Sequence, residues 1–253
     1  MAKVVCATRV GNMKDPNPET RGTVDVLDLP VKELGDDDVL IKVAYCGICG
    51  SDPHVVDGCF NKPEDAPFGI GHEMSGVIER LGKNATAKGL KVGDRVGGNF
   101  LGYCGKCYQC SIGHPEYCTG VSNQPCMAEY VVWNEAQVCK LPDGVSLREG
   151  SLMEPLSIAV RAMDKIGMLV GKRVLVSGGG PIGLLCAQLA AKYGAAELTL
   201  SEPVANRCEI AKKIGVEHIV NPITEDLYER AMEITNGIGY DVILECSAVP
   251  SAA

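Results

Sequence analysis

The sequence predicts an α/β protein of two domains, a barrel-like all-β part up to about residue 155 and a doubly wound parallel sheet after it. Three observations lead there. The first part runs as short strand-like segments broken by Gly and Pro, without long helical patterns between them. After Pro155, buried-strand runs alternate with helical periodicity. The chain has 253 residues, 46% hydrophobic and 22% charged, which is enough for one large or two modest cores.

Each element follows from local pattern. Met1 to Arg9 reads as a strand, and so do residues 23–27, 39–43, 75–78 and 129–133. In the second part, Arg173-Val174-Leu175-Val176-Ser177 is a buried strand, and Ile182, Leu185, Leu189, Ala190 and Tyr193 follow at helical spacing. Residues 197–200 form the next strand. Pro203 opens a helix that Gly215 closes, since Pro lacks the N–H that a first helical turn leaves unpaired and Gly tolerates the terminating conformation. A strand at 218–220, a helix over 225–235 stopped by Asn236-Gly237, and a strand at 240–244 complete the series. That is four strands of a fold that usually has six, and the fourth is left as an apolar edge. The expectation is a truncated or incomplete chain.

Composition excludes several classes. Lys and Arg total 24 against 32 Asp and Glu, a net charge of −8, so no basic field exists to hold a nucleic-acid backbone. No run of about 18 apolar residues is present, so no membrane-spanning helix is expected. The amino end is charged again too early for a signal peptide. The thirteen cysteines therefore belong in a reducing compartment, the cytoplasm, where metal binding or chemistry explains thiols better than disulfides do.

Cys104, Cys107, Cys110 and Cys118 are spaced C-x2-C-x2-C-x7-C. Four thiolates on one short loop suit a tetrahedral structural Zn²⁺ with no position left for substrate. Iron–sulfur ligation also clusters cysteines but follows spacings of its own. His114, inside the loop, reads as a surface residue. A second set is dispersed: Cys46-Gly47-Ile48-Cys49-Gly50-Ser51-Asp52-Pro53-His54, then Gly71-His72-Glu73, then Glu154-Pro155-Leu156-Ser157. Each piece alone is an ordinary core or surface residue. Together they offer one thiolate, one imidazole and one or two carboxylates, a catalytic zinc set with an open position. Spacing alone does not choose between Cys46 and Cys49.

Gly178-Gly179-Gly180-Pro181-Ile182-Gly183 follows a strand and opens a helix, the context a dinucleotide-binding turn requires. Gly178, Gly180 and Gly183, with Pro181 and Ile182, let backbone approach a pyrophosphate at the helix N-terminus. Glu202 ends the next strand, where a carboxylate binds ribose hydroxyls and repels a 2′-phosphate, so NAD is expected over NADP. Cys246 and Ser247 either line the nicotinamide pocket or are filler.

Taken together, C-G-I-C-G-S-D, G-H-E, the four-cysteine loop, E-P-L-S and the glycine-rich turn resemble the medium-chain, zinc-dependent alcohol dehydrogenase family, over essentially the whole chain. The likeness is to its sorbitol/polyol, butanediol and threonine dehydrogenase branch. The resemblance implies a GroES-like β-barrel catalytic domain over 1–155 and a partial Rossmann domain over 156–253 that binds NAD. It implies Cys49, His72 and Glu73 at the catalytic zinc, with Glu154 in the third protein position; Glu73 and Glu154 can exchange, one binding directly and the other through water. Cys46 is then a packing residue, and Asp52 accepts a hydrogen bond from the second nitrogen of His72. Arg207 packs on the adenine face. A homo-oligomer, dimer or tetramer, is implied for the full-length form.

A divalent cation stabilises alkoxide charge, so a hydroxyl held there deprotonates readily and expels hydride onto a nicotinamide. Ser51 is placed to receive the proton and His54 to pass it to solvent. The expected activity is reversible oxidation of a secondary alcohol, polyol or vicinal diol by NAD with two zinc ions per chain. The alternative is a truncated, catalytically impaired zinc-binding structural or interaction protein. Two departures from the family pattern bear on the pocket: Pro125-Cys126-Met127-Ala128-Glu129-Tyr130 stands where G-G-F-A-E-Y is usual, and the insertion-like 57–63 segment borders the pocket.

Overall fold

The structure is a computed structural model that describes residues 1–86 and 88–248. The chain divides into two compact units, Met1–Glu154 and Pro155–Ala253.

The first unit carries β1 (Ala2–Arg9), β2 (Thr23–Leu29), β3 (Asp38–Gly47), β4 (Phe68–Gly69), β5 (Glu73–Leu81), β6 (Arg95–Gly98), β7 (Leu101–Gly102), β8 (Ser122–Asn123), β9 (Tyr130–Asn134) and β10 (Val138–Lys140). These strands form an antiparallel five-stranded sheet in the order β10-β6-β5-β3-β9, a three-stranded sheet β2-β1-β4 and the small pair β7-β8. Alternation drives the larger sheet: Val39 and Ile41 of β3 point inward, where they meet Met74, Ile78, Val96, Val131 and Trp133. Short helices α1 (Asp52–Val56), α2 (Tyr108–Ser111) and α3 (Leu147–Gly150) sit in the connections.

A longer helix, α4 (Met153–Ile166), buries Pro155, Ala159 and Met163 on one stripe, and the division between units falls in its first turn. No sequence expectation had marked this helix. Beyond it come β11 (Arg173–Ser177), α5 (Pro181–Lys192), β12 (Glu197–Ser201), α6 (Ala205–Lys213), β13 (His218–Val220), α7 (Leu227–Ile234) and β14 (Val242–Glu245). The four strands are all parallel, in the order β13-β12-β11-β14, the first half of the dinucleotide-binding topology. β11 and β12 are buried along nearly their whole length because helices cover both faces of such a sheet.

Element ends shift by a few residues from the sequence reading, and at two of them the structure shows the cause. α6 begins at Ala205 rather than Pro203, because Glu202 Oε1 accepts the Val204 N–H at 2.8 Å and holds that residue extended. β14 begins at Val242 rather than Tyr240, because Asp241 is tied to Arg173 by four hydrogen bonds, one of them backbone to backbone, just ahead of the ladder. α7 starts where Asp226 accepts the Glu229 N–H at 2.9 Å, a cap worth about 1 kcal/mol.

Candidate active site

The register of β3 against β5 builds the dispersed metal set. Gly47, the last residue of β3, pairs with Glu73, the first of β5, so the turn carrying Cys49 is brought beside His72 and Glu73. One ligand atom each from Cys49, His72 and Glu73 lies within 4.8 Å of the others. Asp52 opens α1 and is 4% exposed. Its Oδ2 accepts the Cys49 N–H at 2.8 Å and its Oδ1 lies 3.4 Å from His72 Nδ1. Asp52 Oδ1 is buried without another hydrogen-bond partner, so it holds the proton on Nδ1 and leaves Nε2, 4.0 Å from Glu73 Oε1, facing the other two donors. A soft thiolate, an imidazole oriented through its far nitrogen and a carboxylate fit a zinc ion, with three protein ligands and room for a fourth.

The electrostatics agree. In the metal-free protein the Asp52 hydrogen bond, helped by Cys49 and opposed by burial, raises the His72 pKa to about 9. That proton stabilises the metal-free fold fully below the ordinary value near 6.5, and the contribution is lost as pH rises through about 9. A metal ion displaces it. Metal affinity at this site will therefore rise with pH between 6.5 and about 9, with at least one proton released per ion in titration calorimetry near pH 7.5. An affinity that stays flat across that window contradicts the ligand set.

A cavity of about 310 Å³ adjoins the group and is lined by Ser51, Asn61, His72, Phe100, Asn123 and Glu154 among others. Phe100 packs on the His72 ring with centroids 5.0 Å apart. Glu154 lines this cavity, and its burial raises its pKa, but its carboxylate is not part of the three-donor group. Of the two acids that the sequence left interchangeable, Glu73 stands among the donors. Phe60 and Asn61 of the 57–63 segment border the cavity, and so does Pro125. Ser51 lines it too, whereas His54 is exposed on α1 and outside the lining. The sequence reading missed Phe100 and Asn123; neither belongs to a motif, and only the fold brings them here. Cys46 Sγ instead meets Cys126 Sγ at 3.8 Å.

The four-cysteine loop forms a second cluster, with ligand atoms of Cys104, Cys107, Cys110 and Cys118 within 4.8 Å of one another. Cys107 Sγ and Cys118 Sγ are 3.9 Å apart. A tetrahedron with Zn–S bonds of about 2.3 Å has edges of about 3.8 Å. Backbone N–H groups of Cys104 and Gly120 point at Cys118 Sγ, and that of Cys107 at Cys104 Sγ, at 3.3–3.4 Å. Backbone N–H groups, that of Cys110 first, pull Cys107 down to about 6, while burial and the neighbouring sulfurs push Cys110 up to about 12. Four thiols this close do not all ionise without a cation among them, which is the environment zinc supplies. His114 is exposed, with Nδ1 3.4 Å from Glu116.

In the second unit a cavity of about 720 Å³ is lined by Gly178, Gly180, Glu202, Arg207, Cys246 and Ser247, among others. Pro181, Ile182 and Gly183 form the first turn of α5, whose N-terminus opens after Gly180. A Cβ at Gly183 would lie 1.8 Å from Gly178 O, so only glycine lets the helix sit this close to the turn. Gly178 itself has φ of +95°. Glu202 is 1% exposed; its Oε2 accepts the Gly179 N–H at 2.6 Å and lies 3.4 Å from an Arg207 guanidinium nitrogen. A carboxylate wired to the glycine turn in this way is fixed in the cavity and retains lone pairs for a ligand's hydroxyl groups.

Comparison with known proteins follows the same division. Residues 35–143 match the alcohol dehydrogenase GroES-like domain, and residues 181–253 the family described as zinc-binding dehydrogenase. A sorbitol dehydrogenase of Halalkalibacterium halodurans is 39% identical over 240 residues, 91% of this chain and 68% of its own length. The chain belongs to the medium-chain, zinc-dependent alcohol dehydrogenase family. An L-threonine 3-dehydrogenase of Escherichia coli is 38% identical over 232 residues, 89% of this chain and 67% of its own. Among solved structures, a Sinorhizobium meliloti chain described as a zinc-binding dehydrogenase bound to NADP is 31% identical, with a TM-score of 0.83 over 100% of this chain and 71% of that one. This medium-chain dehydrogenase is thus an oxidoreductase of the alcohol dehydrogenase type, with a GroES-like unit and a Rossmann unit. Among the described residues no helix is long and apolar enough to cross a membrane.

Proposed function

We propose that this medium-chain dehydrogenase oxidises a secondary alcohol, of the polyol or vicinal-diol class, reversibly to the ketone, with NAD as hydride acceptor and zinc at both cysteine-containing sites. The observation that carries the reading is the Cys49–His72–Glu73 donor group beside a cavity whose polar lining includes Ser51, Asn61, Asn123 and Glu154. Bound to that group, zinc supplies the Lewis acidity that makes a hydroxyl acidic near neutral pH.

The chain's own residues do the rest. Asp52 fixes the His72 tautomer from Nδ1. Ser51, in the cavity wall, takes the hydroxyl proton, and exposed His54 returns it to solvent. Amide and hydroxyl groups along the wall suit a substrate bearing a second hydroxyl. Phe100 keeps one side of His72 apolar and so limits water. Glu202, buried and held by the Gly179 and Val204 N–H groups, accepts ribose hydroxyls and repels a 2′-phosphate. A similar solved chain carries NADP, so this residue makes the cofactor choice testable.

A panel of polyols, vicinal diols and L-threonine, assayed with NAD and NADP by absorbance of the reduced nicotinamide, tests the reading. Turnover of a secondary alcohol is expected, with kcat/KM favouring NAD by about a hundredfold, from the cost of placing phosphate against a buried carboxylate. Equal use of NADP overturns the cofactor assignment. Two bound zinc ions without turnover of any alcohol would support a structural role instead.

A further inference from the structure

We propose that Cys46 and Cys126 form a reversible disulfide site, closed by a hydroperoxide, that lies directly behind the Cys49–His72–Glu73 group and loosens it when closed. The two sulfurs are 3.8 Å apart although 80 positions separate the residues. Both are thiols. A disulfide bond is about 2.05 Å long, so the sulfurs need to approach by only about 1.8 Å. Cys126 occupies a position where the family resemblance leads one to expect glycine, so the pair is a departure of this chain from that pattern.

Access differs between the two. Cys46 lines a surface cleft of about 350 Å³ together with Lys3, Val43, Tyr45, Met127 and Glu129. Cys126 is fully buried. Cys46 is therefore the residue a small oxidant reaches first and Cys126 the resolving partner. As the thiolate, Cys46 attacks one peroxide oxygen; the S–O bond forms and the O–O bond breaks, leaving a sulfenic acid on Cys46 and an alkoxide, or hydroxide when the oxidant is hydrogen peroxide. That anion takes up the proton that the Cys46 thiol released to solvent and departs as the alcohol or water. The Cys126 sulfur then attacks the sulfenic sulfur, the S–S bond forms, the S–O bond breaks, and hydroxide leaves with the Cys126 proton as water. Each sulfur gives up one electron and the peroxide takes two. A thiol reductant reverses the step.

The coupling to the metal group is geometric and rests on the ligand assignment above. Cys46 lies at the end of β3, three residues ahead of Cys49 on the same backbone. The Cys126 N–H donates to Gly71 O at 3.0 Å, immediately before His72. A Cβ built on Gly71 would be 2.7 Å from Met127 Cβ and 3.1 Å from Cys46 Sγ, so little free space exists to absorb movement. Drawing the sulfurs together pulls on both segments that carry ligands.

The test uses the full zinc-loaded chain, treated with a small excess of hydrogen peroxide, alkylated, and digested without reductant. The expected product joins the Cys46 and Cys126 peptides, about 2 Da below their summed mass, and dithiothreitol releases it. Zinc from the Cys49 site is expected to pass to a chelator about tenfold faster after oxidation. Cys126→Ser and Cys126→Ala are each expected to lose both the cross-link and the acceleration. If cross-links are confined to the loop cysteines, or to Cys186 and Cys246, which also approach each other, the site is overturned. A Cys46–Cys126 cross-link with unchanged zinc transfer, or equal acceleration in the variants, overturns the coupling. Neither the cross-link nor zinc transfer depends on turnover, so failure here is distinguishable from failure of the proposed activity.

Discussion

Cys49→Ser will lower kcat/KM by about a thousandfold, equivalent to about 4 kcal/mol of transition-state stabilisation, while leaving the fold in place. The thiolate is the one soft, anionic sulfur donor in its group; a serine hydroxyl stays neutral at pH 7 and binds zinc weakly. What remains, His72 and Glu73, cannot hold the ion at ordinary concentrations. The fold survives because Cys49 lies in a turn outside the hydrophobic clusters, and its backbone N–H still donates to Asp52. Steady-state kinetics together with circular dichroism measure both parts. Full turnover in the variant would remove Cys49 from the mechanism.

Cys107→Ser has its largest effect on stability. The loop that carries the four cysteines has little core of its own: Tyr108 is 73% exposed, Ile112 47% and Tyr117 68%. Its apolar side chains face water, so the N–H groups aimed at the sulfurs and the sulfur–metal bonds of the proposed zinc site would hold it together. Structural zinc binding contributes roughly 10–16 kcal/mol in small zinc-dependent peptides, and part of that is folding free energy. With one thiolate gone, the first unit is expected to lose about 2–4 kcal/mol, a fall in melting temperature of about 5–10 °C. Proteolysis is expected to begin within residues 103–120. An unchanged melting temperature and an intact loop would show that the cysteines are packing residues only.

The sequence was most legible where one physical cause dominated. β11 runs over 173–177 as read, because a parallel strand covered on both faces needs a continuous apolar run. The glycine-rich turn was readable because Gly183 leaves room for nothing larger. Strand ends were set by distant partners that no local pattern reveals: Asp241 is held by Arg173, 68 positions away, and β14 starts after it. α4 escaped notice because Pro155 in its first turn resembles a break, although Pro is tolerated there and Ala159 and Met163 carry the stripe. In the site, chemistry named the donor types but not which acid stands among the donors. That depended on Gly47 pairing with Glu73 across the sheet, a matter of register rather than of motif. Phe100, packed at a tilt against the His72 ring, depended on the same tertiary placement.

The proposed activity requires Cys49, His72 and Glu73 to hold a metal ion separate from any ion in the four-cysteine loop. Mass-spectrometric metal analysis of the native chain and of Cys49→Ser, each purified without chelators, tests this directly. Two zinc ions per native chain and one per Cys49→Ser chain are the expected counts. A native chain with a single zinc that Cys49→Ser keeps would show that the dispersed residues bind no metal and would contradict the assignment.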